Sequence, residues 1–212
     1  MKGKAVLDRR KFFAKGIDKV TSVAAKEINQ RLTDKAKKWI RPPFAVNELD
    51  FLLTCTRCDK CIDACPHHII FPLSGKNGLE VLGTPALDLL NHGCHLCEVW
   101  PCVNACEPKA LSLSVGFNEV ELDVEHEPEN ESPPPAPKLA NIEIDEERCL
   151  PYLGPECGAC KGSCPVGGAL MWNAEKPSLD ESLCVGCALC REACIVEPKA
   201  IRVSAAATQL EV

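Results

Sequence analysis

The first forty residues carry apolar side chains at intervals of three and four, with lysines and arginines on the opposite face. The recurring apolar positions are Phe13, Ile17, Val20, Ala24, Ile28, Leu32 and Ala36. This spacing predicts one amphipathic helix over residues 8–40. The sequence Arg41-Pro42-Pro43 should end it, because proline lacks the N–H of the next helical hydrogen bond and its ring clashes with the preceding turn.

Beyond residue 41 the apolar pattern breaks into short alternating runs, and each run follows a group of four cysteines. The groups form an internal repeat, since Glu-Pro-Lys-Ala occurs both at residues 107–110 and at residues 197–200. The repeated unit is a cysteine loop, a brief helix and a strand, and this order resembles half of a small bacterial ferredoxin. The expected fold class is α+β, with two tandem 2×4Fe-4S ferredoxin-like modules preceded by the amphipathic helix.

A stretch rich in glutamate and proline separates the second cysteine group from the third. Residues 125–138 contain four glutamates and five prolines, which is the composition of an extended, solvated connector. The predicted organisation is therefore a basic amphipathic helix at 1–41, a first module at 42–124, a Glu/Pro-rich linker at 125–138 and a second module at 139–212.

Charge divides the chain into a basic arm and an acidic body. Residues 1–41 hold 13 Lys and Arg against 4 Asp and Glu, a net charge of +9, whereas the remainder holds 11 against 26, a net charge of -15. Aromatic residues make up only 5% of the 212 residues, so a conventional core would be thin. We expect bound metal clusters to contribute to folding. No apolar run approaches the roughly 18 to 20 residues of a membrane-spanning helix.

The spacing of the sixteen cysteines indicates what they bind. The groups are Cys55, Cys58, Cys61 and Cys65; Cys94, Cys97, Cys102 and Cys106; Cys149, Cys157, Cys160 and Cys164; and Cys184, Cys187, Cys190 and Cys194. The first group, with gaps of two, two and three residues followed by Pro66, is the bacterial ferredoxin run. The fourth repeats these gaps without the proline. The second group widens one gap to four residues and the third widens its first gap to seven, and both keep the final step of three.

In such runs three thiolates of one loop hold one cluster, and the fourth cysteine serves the neighbouring cluster. The groups must therefore pair. Only 28 residues separate Cys65 from Cys94 and 19 separate Cys164 from Cys184, against 42 between the second group and the third. Chain length thus favours tandem pairing over a nested pairing of group one with four and two with three, which stays open. All sixteen cysteines are expected ligands in either arrangement.

Tandem pairing predicts four 4Fe-4S clusters with defined ligands. Cluster 1 has Cys55, Cys58, Cys61 and Cys106; cluster 2 has Cys94, Cys97, Cys102 and Cys65; cluster 3 has Cys149, Cys157, Cys160 and Cys194; and cluster 4 has Cys184, Cys187, Cys190 and Cys164. Disulfides are disfavoured because regular cysteine triplets do not resemble an oxidative scaffold. Zinc would require paired two-cysteine knuckles separated by a longer loop. A three-iron form at one site, or a widened loop that fails to close, remains open.

The basic arm contains Arg9-Arg10-Lys11-Phe12-Phe13, which is similar to a twin-arginine export motif. Export also needs an apolar stretch, and Asp18, Lys19, Lys26 and Glu27 interrupt it. The expected compartment is the cytoplasm, with membrane association and export to the periplasm as alternatives. Residues 8–40 are expected to contact a membrane surface, a partner or the protein's own body. Nucleic-acid binding is not expected, because the body is acidic and the arm carries no recognised motif.

Other chemistry-bearing residues receive supporting roles. His67, His68, His92 and His95 are expected near the clusters as surface or second-layer groups, because no cysteine is missing for a histidine to replace. Trp100 and Trp172 are expected either to shield clusters from water or to fill the core. No nucleophile elbow, phosphate-binding loop or dinucleotide fingerprint occurs, and no catalytic residues are assigned.

Two stretches carry a resemblance to a known family. The stretch Ile40 to Phe44, leading into Phe51 to Cys58, resembles the ferredoxin-type accessory protein NapF of periplasmic nitrate reductase systems. From Gly83 onward, the cysteine groups are similar to those of NapG and of MauM from methylamine utilisation operons. The resemblance spans about residues 40–204. The chain departs from the family in its interrupted export motif and in its Glu/Pro connector.

The resemblance implies four clusters and a role in relaying single electrons to or from a partner oxidoreductase or a membrane quinol dehydrogenase subunit. The alternative is a maturation factor for a molybdenum or other redox enzyme. The protein is expected to be an electron carrier or accessory subunit rather than an enzyme, and to act on no small-molecule substrate.

Overall fold

The computed structural model describes residues 39–113, here called the first half, and residues 135–206, the second half. Short helices and short strands alternate along both. The helices are α1 Glu48–Thr54, α2 Lys60–Asp63, α3 Pro101–Asn104, α4 Leu150–Leu153 and α5 Leu189–Glu192, with a 3₁₀ turn at Gly75–Asn77. The strands are β1 Ile70–Pro72, β2 Pro85–Leu87, β3 Ala140–Ile144, β4 Leu170–Asn173, β5 Lys176–Leu179 and β6 Ile201–Ala205. This mixture is α+β, as the cysteine–helix–strand repeat predicts.

The described residues form three antiparallel two-stranded sheets. In the second half, β3 pairs with β6 from Ala140↔Ala205 to Ile144↔Ile201, and β4 pairs with β5 in a hairpin between them. In the first half, β1 pairs with β2, and an isolated bridge joins Ala45 to Leu111. Both halves therefore share one plan, in which the start of the half pairs with its end around an inner antiparallel pair.

Helix α1, which the cysteine repeat does not predict, leads into the first cysteine group. Asn47 caps it, because its side-chain oxygen accepts a hydrogen bond from the N–H of Asp50 at 3.1 Å. Phe51 is fully buried and anchors the helix to the core. The N–H of Cys55 donates to the carbonyl oxygen of Phe51 at 2.8 Å, so the helix fixes where the cysteine loop begins.

The predicted N-terminal helix is wrong at its end. Trp39 lies in a bend, and Ile40 forms an antiparallel bridge to Leu87, whose N–H donates to the carbonyl oxygen of Ile40 at 2.7 Å. The two prolines that follow Arg41 favour an extended backbone in the residues before them, so Ile40 pairs with the end of β2 instead of continuing a helix. The rest of that helix, residues 8–38, lies outside the described residues, as do residues 114–134 of the predicted module and linker.

One hydrophobic core extends through both halves. It contains large side chains such as Phe51, Leu89 and Leu111 from the first half and Ile142 and Ile201 from the second. Nine of the cysteines are themselves buried members of this core. Of the other seven cysteines, six are half-buried and Cys58 is exposed, so the cysteine groups extend from the interior of the protein to its surface.

A smaller core cluster contains Trp39, Leu73, Val81 and Ala86, and Arg41, which lies against the Trp39 ring, forms a buried ion pair beside it. Arg41 Nε donates to Glu48 Oε2 at 2.9 Å, and both side chains are at most 10% exposed. The same guanidinium donates to Thr84 Oγ1 at 2.8 Å and lies 4.5 Å from the ring centroid of Phe51. This arrangement joins α1 to the loop before β2. No helix within the described residues has the length and apolar character to cross a bilayer.

Candidate iron–sulfur centres

Four cavities in the described residues are each lined by four cysteines. The first cavity has Cys55, Cys58, Cys61 and Cys106; the second has Cys65, Cys94, Cys97 and Cys102; the third has Cys149, Cys157, Cys160 and Cys194; and the fourth has Cys164, Cys184, Cys187 and Cys190. These are the same four sets that tandem pairing predicts as ligand sets.

Short helices carry the cysteines from one cavity to the next. Cys61 lies in α2 and lines the first cavity, while Cys65, just after that helix, lines the second. Cys102 in α3 lines the second cavity, and Cys106 after that helix lines the first. Each of these helices thus sends one cysteine to each cavity. Each cavity of the first half therefore needs cysteines from both cysteine groups.

The second half repeats the exchange with one difference. Cys190 in α5 lines the fourth cavity and Cys194 lines the third. In the opposite direction, Cys160 lines the third cavity and Cys164 lines the fourth, and a non-helical turn connects them. The third group's helix is instead α4, which occupies the widened seven-residue gap after Cys149.

The cavities are similar in size and mostly apolar. The empty space at each, counted together with the adjoining open solvent, is about 330, 340, 370 and 290 Å³ in the order first to fourth. Leu111 lines the first, Trp100 the second, Trp172 the third and Ile142 the fourth. In each case the cysteines surround a space instead of converging on a point. Consistently, within residues 39–113 and 135–206 no three His, Cys, Asp or Glu side chains meet closely enough to hold a single metal ion.

Backbone N–H groups are directed at several of the sulfurs. The N–H of Leu111 donates to the Cys106 Sγ at 3.3 Å. The N–H of Lys60 hydrogen-bonds Cys58 and is the main reason that the pKa of this thiol lies below its ordinary value. Residues with positive φ, among them Arg57 and Asp59, shape this loop. Turns of this kind point consecutive N–H groups into a concavity that favours anionic groups.

Burial has the opposite effect on the inner thiols. Burial, and after it the negative charge of neighbouring cysteines, raises the pKa of Cys61, Cys102 and Cys190 to about 12. Thiols with such pKa values are protonated at neutral pH, and a bound cationic metal centre is what would draw off their protons. The two cavities of each half are neighbours, because one short segment, Cys61 to Cys65 or Cys190 to Cys194, supplies a cysteine to both.

Two tryptophans provide a further observation on which kind of ligand fits the cavities. In the described part of the chain, the indole N–H groups of Trp100 and Trp172 are buried and have no hydrogen-bond acceptor, and both residues line cysteine cavities. A buried donor without an acceptor is costly, so an acceptor inside the cavity would satisfy it. In the second and third cavities, four cysteines, an apolar wall and a buried N–H donor together fit a 4Fe-4S cluster, whose sulfurs accept hydrogen bonds.

Of the four histidines, His67 and His95 line one of the cavities, whereas His68 and His92 line none of the four. His67 and His95 line the second cavity and stack with ring centroids 3.6 Å apart. Partial burial lowers the pKa of His67, and the stacked His95 lowers it further. His92 Nδ1 lies 3.8 Å from Glu192 Oε1, and His68 is exposed. None of the four stands in for a cysteine, since each cavity already has four.

Sequence reasoning missed the residues that position the cysteine loops of the second half. Asp145 and Asp180 each lie four residues before the first cysteine of a group, and their carbonyl oxygens accept the N–H of Cys149 and Cys184, both at 2.9 Å. Asp145 also binds Arg202 at 2.5 Å. The Asp-Glu pair that begins both segments was the available clue in the sequence.

Comparison with known proteins gives a consistent set of relatives. The ferredoxin-type protein NapG of Escherichia coli is 30% identical over 176 residues, which cover 77% of this chain and 69% of NapG. The methylamine utilization ferredoxin-type protein MauM of Methylobacillus flagellatus is 28% identical, covering 89% of this chain and 77% of MauM. The ferredoxin-type protein NapF of E. coli is 29% identical, covering 76% and 84%. Neither a family model nor a solved structure matches the chain.

Proposed function

The chain belongs to the group of ferredoxin-type proteins that includes NapG, MauM and NapF, and we propose that it is an iron–sulfur electron carrier with a 4Fe-4S cluster in each of its four cysteine-lined cavities. The observation that carries the proposal is the exchange of cysteines between cavities, in which three come from one group and the fourth from its partner. The ligand sets are then the four sets that line the cavities, and the two halves are two tandem ferredoxin-like modules.

When bound, a 4Fe-4S cluster gains or loses one electron at a time. The role of the polypeptide is to hold such clusters, exclude water from them and set how readily each is reduced. Apolar residues such as Leu111 and Ile142 wall the cavities, and N–H donors such as those of Lys60 and Leu111 stabilise negative charge on sulfur. We assign no residue to substrate chemistry, and the protein acts as a carrier rather than as an enzyme.

The partner is a redox protein that supplies or accepts single electrons, and an oxidoreductase or a membrane quinol dehydrogenase subunit has the required chemistry. We propose that the basic residues 8–40 contact that partner or an anionic membrane surface, and that the protein acts in the cytoplasm. The replacement of Arg9 and Arg10 by lysine tests the compartment. A reporter fused to the C-terminus should stay cytoplasmic with and without the change, whereas export of the unchanged chain alone would contradict this assignment.

An anaerobic redox titration tests the carrier function. The purified protein, reduced stepwise with dithionite, should bleach reversibly in its visible absorption and develop the paramagnetic signals of reduced 4Fe-4S clusters. The control is the Cys58→Ala variant, which should lose part of the signal. A protein that is coloured but takes up no electrons reversibly, or that binds only the cofactor-free form of its partner, would contradict an electron carrier.

A further inference from the structure

A turn of the first half lies directly against the last helix of the second half. The N–H of Cys94 donates to the carbonyl oxygen of Cys187 at 2.7 Å, and the N–H of Gly93 donates to Glu192 Oε2, also at 2.7 Å. Cys94 lines the second cavity and Cys187 lines the fourth. This hydrogen bond between the halves therefore also joins residues that line two different cysteine cavities.

A guanidinium reinforces this contact. Arg191, which lies in α5 beside Glu192, donates from Nε to the carbonyl oxygen of Leu90 at 2.9 Å. The same guanidinium donates to the carbonyl oxygen of Ile201 at the start of β6. Arg191 therefore ties the turn of the first half both to the helix and to a strand of the second half.

The close approach requires a glycine at position 93. A Cβ at Gly93 would lie 2.8 Å from the Leu189 Cα and 2.7 Å from its Cδ2, and Gly93 is buried. The Cα is backbone and cannot rotate away, so any side chain at this position would force the two halves apart. Because glycine has no side chain, two segments that are almost one hundred residues apart in the sequence can pack directly against each other at Gly93.

We propose that Gly93, Arg191 and Glu192 are positioning residues that hold the second cavity against the fourth, so that the four cavities form one series in the order first, second, fourth, third. The proposal rests on the proposed function. Within each half the two cavities already adjoin, because they exchange cysteines; the Cys94–Cys187 contact supplies the missing connection. The first and third cavities are then the two ends at which a redox partner protein delivers or removes electrons.

Only an electron is transferred across the contact between the second and fourth cavities. With clusters held by the cysteines of the second and fourth cavities, one electron would pass across the contact, so that one cluster would be oxidised by one electron and its neighbour reduced by one. No bond forms or breaks, and no proton is required. The redox partner proteins at the two ends are the reductant and the oxidant.

The test compares two variants of the contact in the full-length, cofactor-loaded protein. Gly93→Ala adds the clashing Cβ, and Glu192→Ala removes the acceptor of the Gly93 N–H without adding volume. The matched controls are Gly75→Ala, whose Cβ would meet only Leu82 Cδ1 at 4.0 Å, and Glu175→Ala in the exposed turn between β4 and β5. Amide hydrogen exchange of residues 90–94, iron content and the paramagnetic spectrum of the dithionite-reduced protein are measured for each.

Both contact variants should keep their iron, exchange the amides of residues 90–94 about tenfold faster or more, and lose part of the spin coupling between clusters. The controls should match the unchanged protein. Unaltered exchange and coupling in Glu192→Ala would overturn the proposal, and so would unaltered values in Gly93→Ala. Should Gly93→Ala not fold, Glu192→Ala decides alone. Absence of iron from the unchanged protein would contradict the proposed function, whereas the exchange comparison still tests the contact.

Discussion

Cys61 and Cys65 are separated by about one helical turn, yet they line different cavities, the first and the second. The same crossing occurs between Cys102 and Cys106 on α3, in the opposite direction. The two cysteine groups of the first half are therefore interdependent, and substitution of the fourth cysteine of one group should empty the cavity whose other three cysteines belong to the partner group.

This crossing predicts the outcome of paired substitutions. Cys106→Ala should remove one cluster, about four iron atoms per chain, and Cys55→Ala with Cys106→Ala should remove no more, because both residues line the first cavity. Cys55→Ala with Cys65→Ala should instead remove about eight. Iron and acid-labile sulfide analysis measures both. If the first pair costs eight iron atoms and the second costs four, the cysteines do not cross.

The buried ion pair predicts a stability difference. Glu48→Gln leaves the Arg41 guanidinium buried without its charge partner, which should lower the free energy of unfolding by about 3 to 5 kcal/mol. The control is Lys60→Gln, because the side chains of the Lys60–Glu107 pair are 49% and 76% exposed, and a solvent-screened pair of this kind should contribute little to stability. Anaerobic denaturation with guanidinium, followed by circular dichroism, measures both. Equal effects of the two changes would contradict the structural role of Arg41.

The tryptophans predict shifts in reduction potential. Replacing Trp100 or Trp172 by phenylalanine removes an N–H donor beside the second or third cavity, so the reduced, more negative cluster should lose stabilisation. The potential of one cluster should fall by about 20 to 60 mV, which corresponds to one neutral hydrogen bond. Trp39→Phe is the control, because in the described residues its buried N–H also has no acceptor, while the residue packs in the separate small core. A shift for Trp39→Phe alone would contradict the assignment.

The pKa shifts predict an order of reactivity for the metal-free chain. The lowered pKa of exposed Cys58 gives it a larger thiolate fraction at neutral pH, whereas the pKa of about 12 keeps Cys102 and Cys190 protonated until strongly alkaline pH. Iodoacetamide at pH 7.5 should therefore modify Cys58 first, and reaction at Cys102 and Cys190 should increase as the pH is raised. Mass spectrometry of peptides identifies the sites. Equal rates at Cys58 and Cys102 would show that the cavity does not bury these thiols.

The sequence predicted the cysteine groups, the α+β repeat and the family because these depend on local spacing and composition. The family follows from the same cysteine spacings, and the comparisons confirm it. The position of the helix end was wrong, because Ile40 is held by Leu87, a residue that lies far along the chain. Local periodicity contains no information about such a pairing.

The long-range contacts could not be predicted for the same reason. The Arg41–Glu48 pair looks like ordinary surface charge in the sequence, and only the surrounding aromatic and proline residues bury it. The residues on either side of Gly93 in the sequence do not distinguish it from an ordinary loop glycine. The need for glycine at this position becomes visible only in the folded protein, where Leu189 packs against it. The aspartates Asp145 and Asp180, four residues before a cysteine group, were visible in the sequence. Their role in positioning the cysteine loops is recognisable only from the hydrogen bonds of the folded protein.

Iron and acid-labile sulfide analysis of protein purified without oxygen tests the central claim most directly. Four filled cavities predict about sixteen iron and sixteen sulfide per chain, and no zinc. A value near twelve would mean that one widened loop does not close on a cluster. Colourless protein, zinc in place of iron, or cysteines joined as disulfides would contradict the account.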